Sequence, residues 1–288
     1  MDKDSNVKGE EESNDLFAWA SRSSRRTGSE HIHEKYTFSE MMIPEPAFSE
    51  FDNISHRIFI PLLIFGIAMA FLESAVVIFL RQIWGISALF PISNIFDNVE
   101  NLQILKVEFG REAATLVMLI SIACAIGKNA WQKMAYLLFL FGVWDIFYYV
   151  WLWALIGWPS TLLTWDILFF IPYTLVAPVY APLAVSVVMI ICGIMIIHAQ
   201  KQQVILQSTP RFWLMELLAF GLVYASMVWE SMIGTLKHNP SANEANLNYP
   251  WLMLLIGLTV GLTAFLFLIG NCFKSKKFDF NLYVSRKY

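Results

Sequence analysis

Glu108, Arg111, Glu112 and Thr115 recur at offsets of 0, 3, 4 and 7, the spacing that stacks side chains on one face of an α-helix. They stand where a polar stretch runs into "ATLVMLI", a segment oily enough to lie in lipid. Two more carboxylates, Glu73 and Asp145, fall inside other apolar runs, and Asp166 lies in a proline-rich stretch. Charge in such surroundings is costly and signals function by default. The set suits an ion-paired network centred on Arg111, a carboxylate cage for a cation, or a carboxyl group poised for proton transfer. Glu73, Glu108, Glu112 and Asp145 face Arg111 alone, so ionising them all leaves an uncompensated negative surplus. In a low dielectric that surplus requires protonation, a bound cation or a basic group from a partner.

The elements that must position these groups are membrane helices. The chain is 57% hydrophobic and only 15% charged, with 11 Trp in 288 residues, which no soluble domain of this length resembles. Apolar runs near the roughly 20 residues needed to cross a bilayer occur at about 58–80, 113–127, 134–157, 175–197, 212–236 and 251–270. The expected fold is therefore all-α and polytopic, with six transmembrane helices. Glu73 lies roughly 22 Å and Asp145 about 17 Å from the inner ends of their spans at 1.5 Å per residue, which places both towards the outer side.

Two segments complicate that plan. In "SNIFDNVENLQILKVEFGRE", Ile95, Val99, Leu102 and Leu105 keep helical spacing behind Ser93 or Asn94 as a cap, so the second helix is expected to start near residue 94. Glu108 and Glu112 then sit mid-helix, where the dipole of a helix start cannot account for them. The segment "WPSTLLTWDILFFIPYTLVAPVYAPL" carries Pro159, Pro172, Pro178 and Pro182 and reads as a broken or re-entrant element. "WDI" occurs at 144–146 and again at 165–167, which we read as coincidence rather than a repeat.

Six crossings put both termini on one side, with the loops near 128–133 and 198–211. That side holds 16 of the 20 Lys and Arg residues, so both termini are expected in the cytoplasm. The anticipated organisation is a disordered cytoplasmic tail over 1–55, a six-helix transmembrane domain over 56–272 and a basic cytoplasmic tail over 273–288. The first tail lacks an early apolar stretch of the signal-peptide type. Cys124, Cys192 and Cys272 lack metal-ligand spacing and read as small buried residues.

Other candidates are weaker. Tyr148 and Tyr149 follow Asp145 at i+3 and i+4 and either donate hydrogen bonds to the site or pack. Glu230 lies near the outer end of the fifth span, and Glu216 near its inner end is expected to reach the interface or pair with Arg211. His198 reads as interfacial, and His31 and His33 as part of a solvated tail. There is no HExxH, GxSxG or Walker A sequence and no paired His on a span, which argues against zinc proteases, serine hydrolases, P-loop enzymes and haem bundles. No soluble domain for nucleotides or nucleic acid is evident, and no cofactor can be named.

At "FGREAATLVML", "FGVWDIFYYVWLWALIGWP" and "LLTWDILFFIP" the chain resembles a group of uncharacterised bacterial multi-pass membrane proteins over roughly 60–200. That resemblance implies a bacterial cytoplasmic membrane and no particular activity. A fainter similarity runs to the small integral-membrane carotenoid cyclases, where a Trp-Asp pair precedes Pro-x-Glu-Glu and Phe-Phe. Here "TWDILFF" lacks the Glu pair, so no residue role is carried over. The leading expectation is acid–base chemistry on, or binding of, a lipid-like substrate entering from the bilayer. Asp145 and Glu73 would exchange protons, and Arg111 would anchor an anionic or polar head. Glu108, Glu112, Tyr148, Tyr149 and Asp166 would complete the site, and the aromatic third span would suit an apolar ligand. The alternatives are a proton- or cation-coupled transporter and a noncatalytic subunit whose surplus charges meet a membrane-protein partner. Whether the chain is an enzyme, and whether it binds a metal, stays open at this point.

Overall fold

In hydrocarbon every backbone N–H and C=O must find its partner within the chain, so apolar runs of this length fold as helices. The computed structural model describes residues 45–84, 99–170, 173–202 and 204–287. The chain divides into two units, 1–50 and 51–288, and the second carries the membrane spans and the candidate site. The tail histidines His31 and His33 and the anticipated cap at Ser93 or Asn94 lie outside the described residues.

Six helices are long and apolar enough to cross a membrane. They are α1 (Glu45–Ile83), α2 (Val99–Ile126), α3 (Ala130–Ile156), α4 (Tyr180–Lys201), α5 (Pro210–Met232) with its short continuation α6 (Thr235–His238), and α7 (Trp251–Lys287). The protein is an all-α, multi-pass membrane protein. α1 and α7 each extend beyond their apolar spans, into stretches expected as tail. α2 already runs from Val99, so Glu108 and Glu112 sit 9 and 13 residues inside it and the dipole of its first turn does not reach them. Local signals fix several helix ends. Asn129 caps α3 by accepting the Gln132 N–H, and Thr209 accepts the Phe212 N–H while Pro210 occupies the first position of α5.

Close helix packing rests on small residues. α3 and α4 approach so nearly that a Cβ on Gly142 would stand 2.6 Å from the Ser186 carbonyl, and one on Gly193 2.6 Å from that of Ala135. α1 docks on α3 through polar contacts: Trp151 Nε1 donates to the Ile67 carbonyl at 3.0 Å and Ser74 Oγ to that of Tyr148 at 2.9 Å. Ile64, Leu72, Leu217 and Phe267 are exposed on the bundle exterior, as a lipid-facing surface requires.

The proline-rich segment folds as a two-stranded antiparallel hairpin, β1 (Trp165–Phe169) and β2 (Leu175–Pro178). A proline cannot donate to a ladder, and Pro178 closes β2 opposite Trp165 at the hairpin's open end. Pro182 falls in the first turn of α4, where the missing N–H costs nothing. The two "WDI" triplets thus have unlike structures, one helical in α3 and the other in β1. The hairpin closes one end of the bundle, packing Trp165, Ile167 and Val176 against Met227, Tyr249 and Leu254. At the opposite end Trp131 stacks on Trp213 and donates to the Leu206 carbonyl at 3.0 Å.

Candidate functional site

Each of the six spans turns one stripe inward. Glu73, Val77, Leu80 and Arg81 of α1 and Trp84 just past its end keep helical spacing, as do Met134, Leu138, Phe141, Asp145 and Tyr148 of α3 and Phe212, Glu216, Ala219, Val223 and Met227 of α5. Together with stripes from α2, α4 and α7 they enclose a cavity of about 600 Å³. The α5 stripe rises through 15 residue steps from Phe212 to Met227, so the cavity is about 22 Å long at 1.5 Å per step. Its hairpin end is ionic and its remainder mostly apolar. Trp213 and Phe220 line it while also lying exposed on α5, so its wall there reaches the outer surface of the bundle.

Arg111 is the centre of a closed cluster. Its Nε and Nη2 clasp both oxygens of Glu108 one turn earlier, with Nε donating to Oε2 at 2.8 Å. Nη1 pairs with Glu73 of α1, whose other oxygen accepts from the Thr115 hydroxyl. Glu73, Glu108, Glu112 and Thr115 are all buried. The expected stripe forms, but its arginine is spent on two carboxylates and fastens α1 to α2. Asp145 does not join it: Asp145 Oδ2 accepts from Ser186 Oγ of α4 at 2.8 Å.

A second set of contacts ties the hairpin down. Both oxygens of Glu112 accept the Phe170 N–H, at 3.0 and 3.1 Å. Asp166 on β1 is 1% exposed and its Oδ2 accepts from Tyr149 Oη at 3.0 Å. Burial pushes the Asp166 carboxyl up to about 6, although the Arg81 charge and the Tyr149 hydrogen bond pull the other way. Tyr148 packs edge-on against Tyr149 and lines the cavity. Two other acids diverge from one another. Glu230 faces away from the cavity and accepts backbone N–H groups from Thr235 and Asn248, each at 2.8 Å, to fasten the loop after α5. Glu216, expected at the interface or on Arg211, lines the cavity with Oε1 buried and unpartnered.

Sequence reasoning passed over Arg81. It is 7% exposed, its guanidinium lies 4.0 Å above the Trp158 ring, and its Nε and Nη2 have no hydrogen-bond partner. Among the described residues the unpartnered buried side-chain atoms belong to Arg81, Trp84, Trp144 and Glu216, and all four residues line this one cavity. A signal existed in the sequence: Arg81 stands at offset 8 from Glu73, on the same face of α1. Its position at the boundary of the apolar run disguised it as an ordinary flanking arginine.

Among the described residues no group of three or more His, Cys, Asp or Glu side chains is placed to hold a metal ion. The carboxylates are spread along the wall, and Glu73, Glu108, Glu112, Asp145 and Asp166 are each bonded to a donor, whereas Glu216 has its Oε1 buried and unpartnered. Searches of protein-family models, curated proteins and solved structures found no match to this chain. Its own geometry is therefore the ground for a functional reading.

Proposed function

We propose that this protein takes up a lipid-like amphiphile from the bilayer into the cavity of its helix bundle, with Asp145 as the group that exchanges a proton at the bound molecule. The observation that carries the reading is the cavity itself, a mostly apolar slot about 22 Å long whose wall reaches the bundle exterior beside α5 and whose ionic groups, Glu216 apart, gather at one end. Its volume falls within the ~300–1,000 Å³ of small-molecule sites. A molecule with an apolar tail and a polar head matches that division.

The two carboxylates nominated for proton exchange have different standing. Glu73 is held by Arg111 and Thr115 and serves the α1–α2 junction. Asp145 has a single side-chain bond, from Ser186, and borders the cavity at the level where ionic wall gives way to apolar wall. A carboxyl so placed meets the head of a ligand rather than its tail. The positive-inside distribution puts the hairpin end on the outer side of the membrane.

Transport is the second reading, and one observation favours it: the cavity continues past Asp145 to Glu216 near the opposite end. The subunit reading loses its expected sign, because Glu73 and Asp145 both line the cavity.

Native mass spectrometry of the gently purified protein tests the proposal. Wild type is expected to carry a lipid-like adduct at one per chain, and Ala219→Phe, which adds bulk to the cavity wall beside α7, to lose it. Asp145→Asn is expected to retain the adduct but change how its retention depends on pH. A wild type that holds no adduct, and that Ala219→Phe leaves unaltered, defeats the reading.

A further inference from the structure

Arg111 shows how this protein's own chemistry satisfies a guanidinium: Nε and Nη2, the two donors on one edge, clasp the two oxygens of a carboxylate. Arg81 presents the same edge with nothing on it. Its Nε and Nη2 are buried and unpartnered, and among the described residues it forms no ion pair. Trp158 supports the face of the guanidinium at 4.0 Å, a contact that uses none of its N–H donors. Three positions on, the buried Trp84 Nε1 is a further donor without an acceptor, on the same side of α1 and on the same cavity.

We propose that Arg81 and Trp84 receive an oxyanion head, a carboxylate or a phosphate, on a single-chain amphiphile whose tail lies in the apolar length of the cavity. This rests on the uptake of an amphiphile argued above and names the chemistry of its head. A guanidinium does not deprotonate in a protein, so a buried one calls for a negative partner. The acids that share this end of the wall are already served. Asp166 accepts from Tyr149, Asp145 from Ser186, and Glu112 from the Phe170 N–H, while Glu73 and Glu108 are held by Arg111. What the wall lacks is an acceptor at Arg81, and an oxyanion with two oxygens on one centre fits that unpartnered pair of donors as Glu108 fits Arg111. The role expected of Arg111 as head anchor thus passes to the arginine two turns along α1 from Glu73.

The test compares three molecules with one chain and different heads. The full-length protein in phosphatidylcholine nanodiscs is titrated with oleate, oleyl phosphate and oleyl alcohol, with inorganic phosphate as the headgroup alone, and occupancy is read by native mass spectrometry. At least one of the two anions is expected to bind tenfold or more tightly than the alcohol, and which one does so separates carboxylate from phosphate. Arg81→Met is expected to abolish that preference while still binding the alcohol, and Trp84→Phe to weaken the anion several-fold. Should Arg81→Met fail to fold, Arg81→Lys decides in its place: it keeps the charge, lacks the two-donor edge, and is expected to lose most of the preference. Equal binding of anions and alcohol by wild type overturns the head assignment and leaves uptake standing. Binding of none of the three overturns both, and displacement by inorganic phosphate at the same concentrations as oleyl phosphate overturns the single-chain ligand.

Discussion

Arg81 and Arg111 line the same cavity on neighbouring spans, and they have opposite surroundings. Arg111 is enclosed by Glu108, Glu73 and, through Glu73, Thr115. Arg81 rests on an aromatic ring with two donors unused. Both arginines are costly to place in an apolar bundle, and the difference shows what each cost supports. The closed cluster fastens α1 to α2 and leaves nothing for a ligand to do. The open one keeps two buried donors without an acceptor.

That contrast sets the order of expected effects in ligand-free protein. Arg111→Met leaves Glu73 and Glu108 buried without their cation, and is expected to destabilise the fold by about 3–5 kcal/mol in denaturation measured in detergent. Asp166 supplies the next effect. Its carboxyl is raised from 3.8 to about 6, so its contribution to stability is whole below about 3.8 and is lost as pH rises through about 6. Between pH 4 and 7 the wild type is expected to lose on the order of 2–3 kcal/mol from this group, and Asp166→Asn to show a correspondingly flatter profile. Thr115→Val removes one hydroxyl from Glu73 and is expected to cost about 1 kcal/mol. The smallest effect is expected of Arg81→Met, within ~1 kcal/mol of wild type or stabilising, because the side chain it removes has two unmet donors. An Arg81 variant as damaging as Arg111→Met would erase the distinction between the two sites.

Much of this arrangement was legible in the sequence, for identifiable reasons. Hydrophobic runs and helical period report directly on membrane helices, so all six spans emerge, with ends shifted by up to five residues except at the second, which starts at Gln103 rather than near 113. The offsets of Glu108, Arg111 and Thr115 place them on one face, where Arg111 and Thr115 meet Glu73 and Arg111 also holds Glu108. The partner choices were not legible, because they depend on helix rotation and on a neighbour's identity. Asp145 bonds Ser186 on α4, a span that the charge pattern had not brought in. The proline-rich segment declared only that a long helix was excluded, and the pairing of Asp166 with Ala177 across a hairpin has no periodicity to announce it. Arg81 was missed for a different reason: position along a span distinguishes a flanking arginine from a buried one poorly, since the long side chain can snorkel or turn inward.

If the bundle holds an amphiphile with its head at Arg81, an electron cryomicroscopy map of the protein purified with its own membrane lipids will show the bound molecule in place. The expected result is elongated density along the α5 stripe from near Phe212 upward, ending in a head within hydrogen-bond reach of Arg81 Nε and Nη2. A cavity collapsed or empty of such density, with Arg81 turned onto Asp166 as its ion partner, would contradict it.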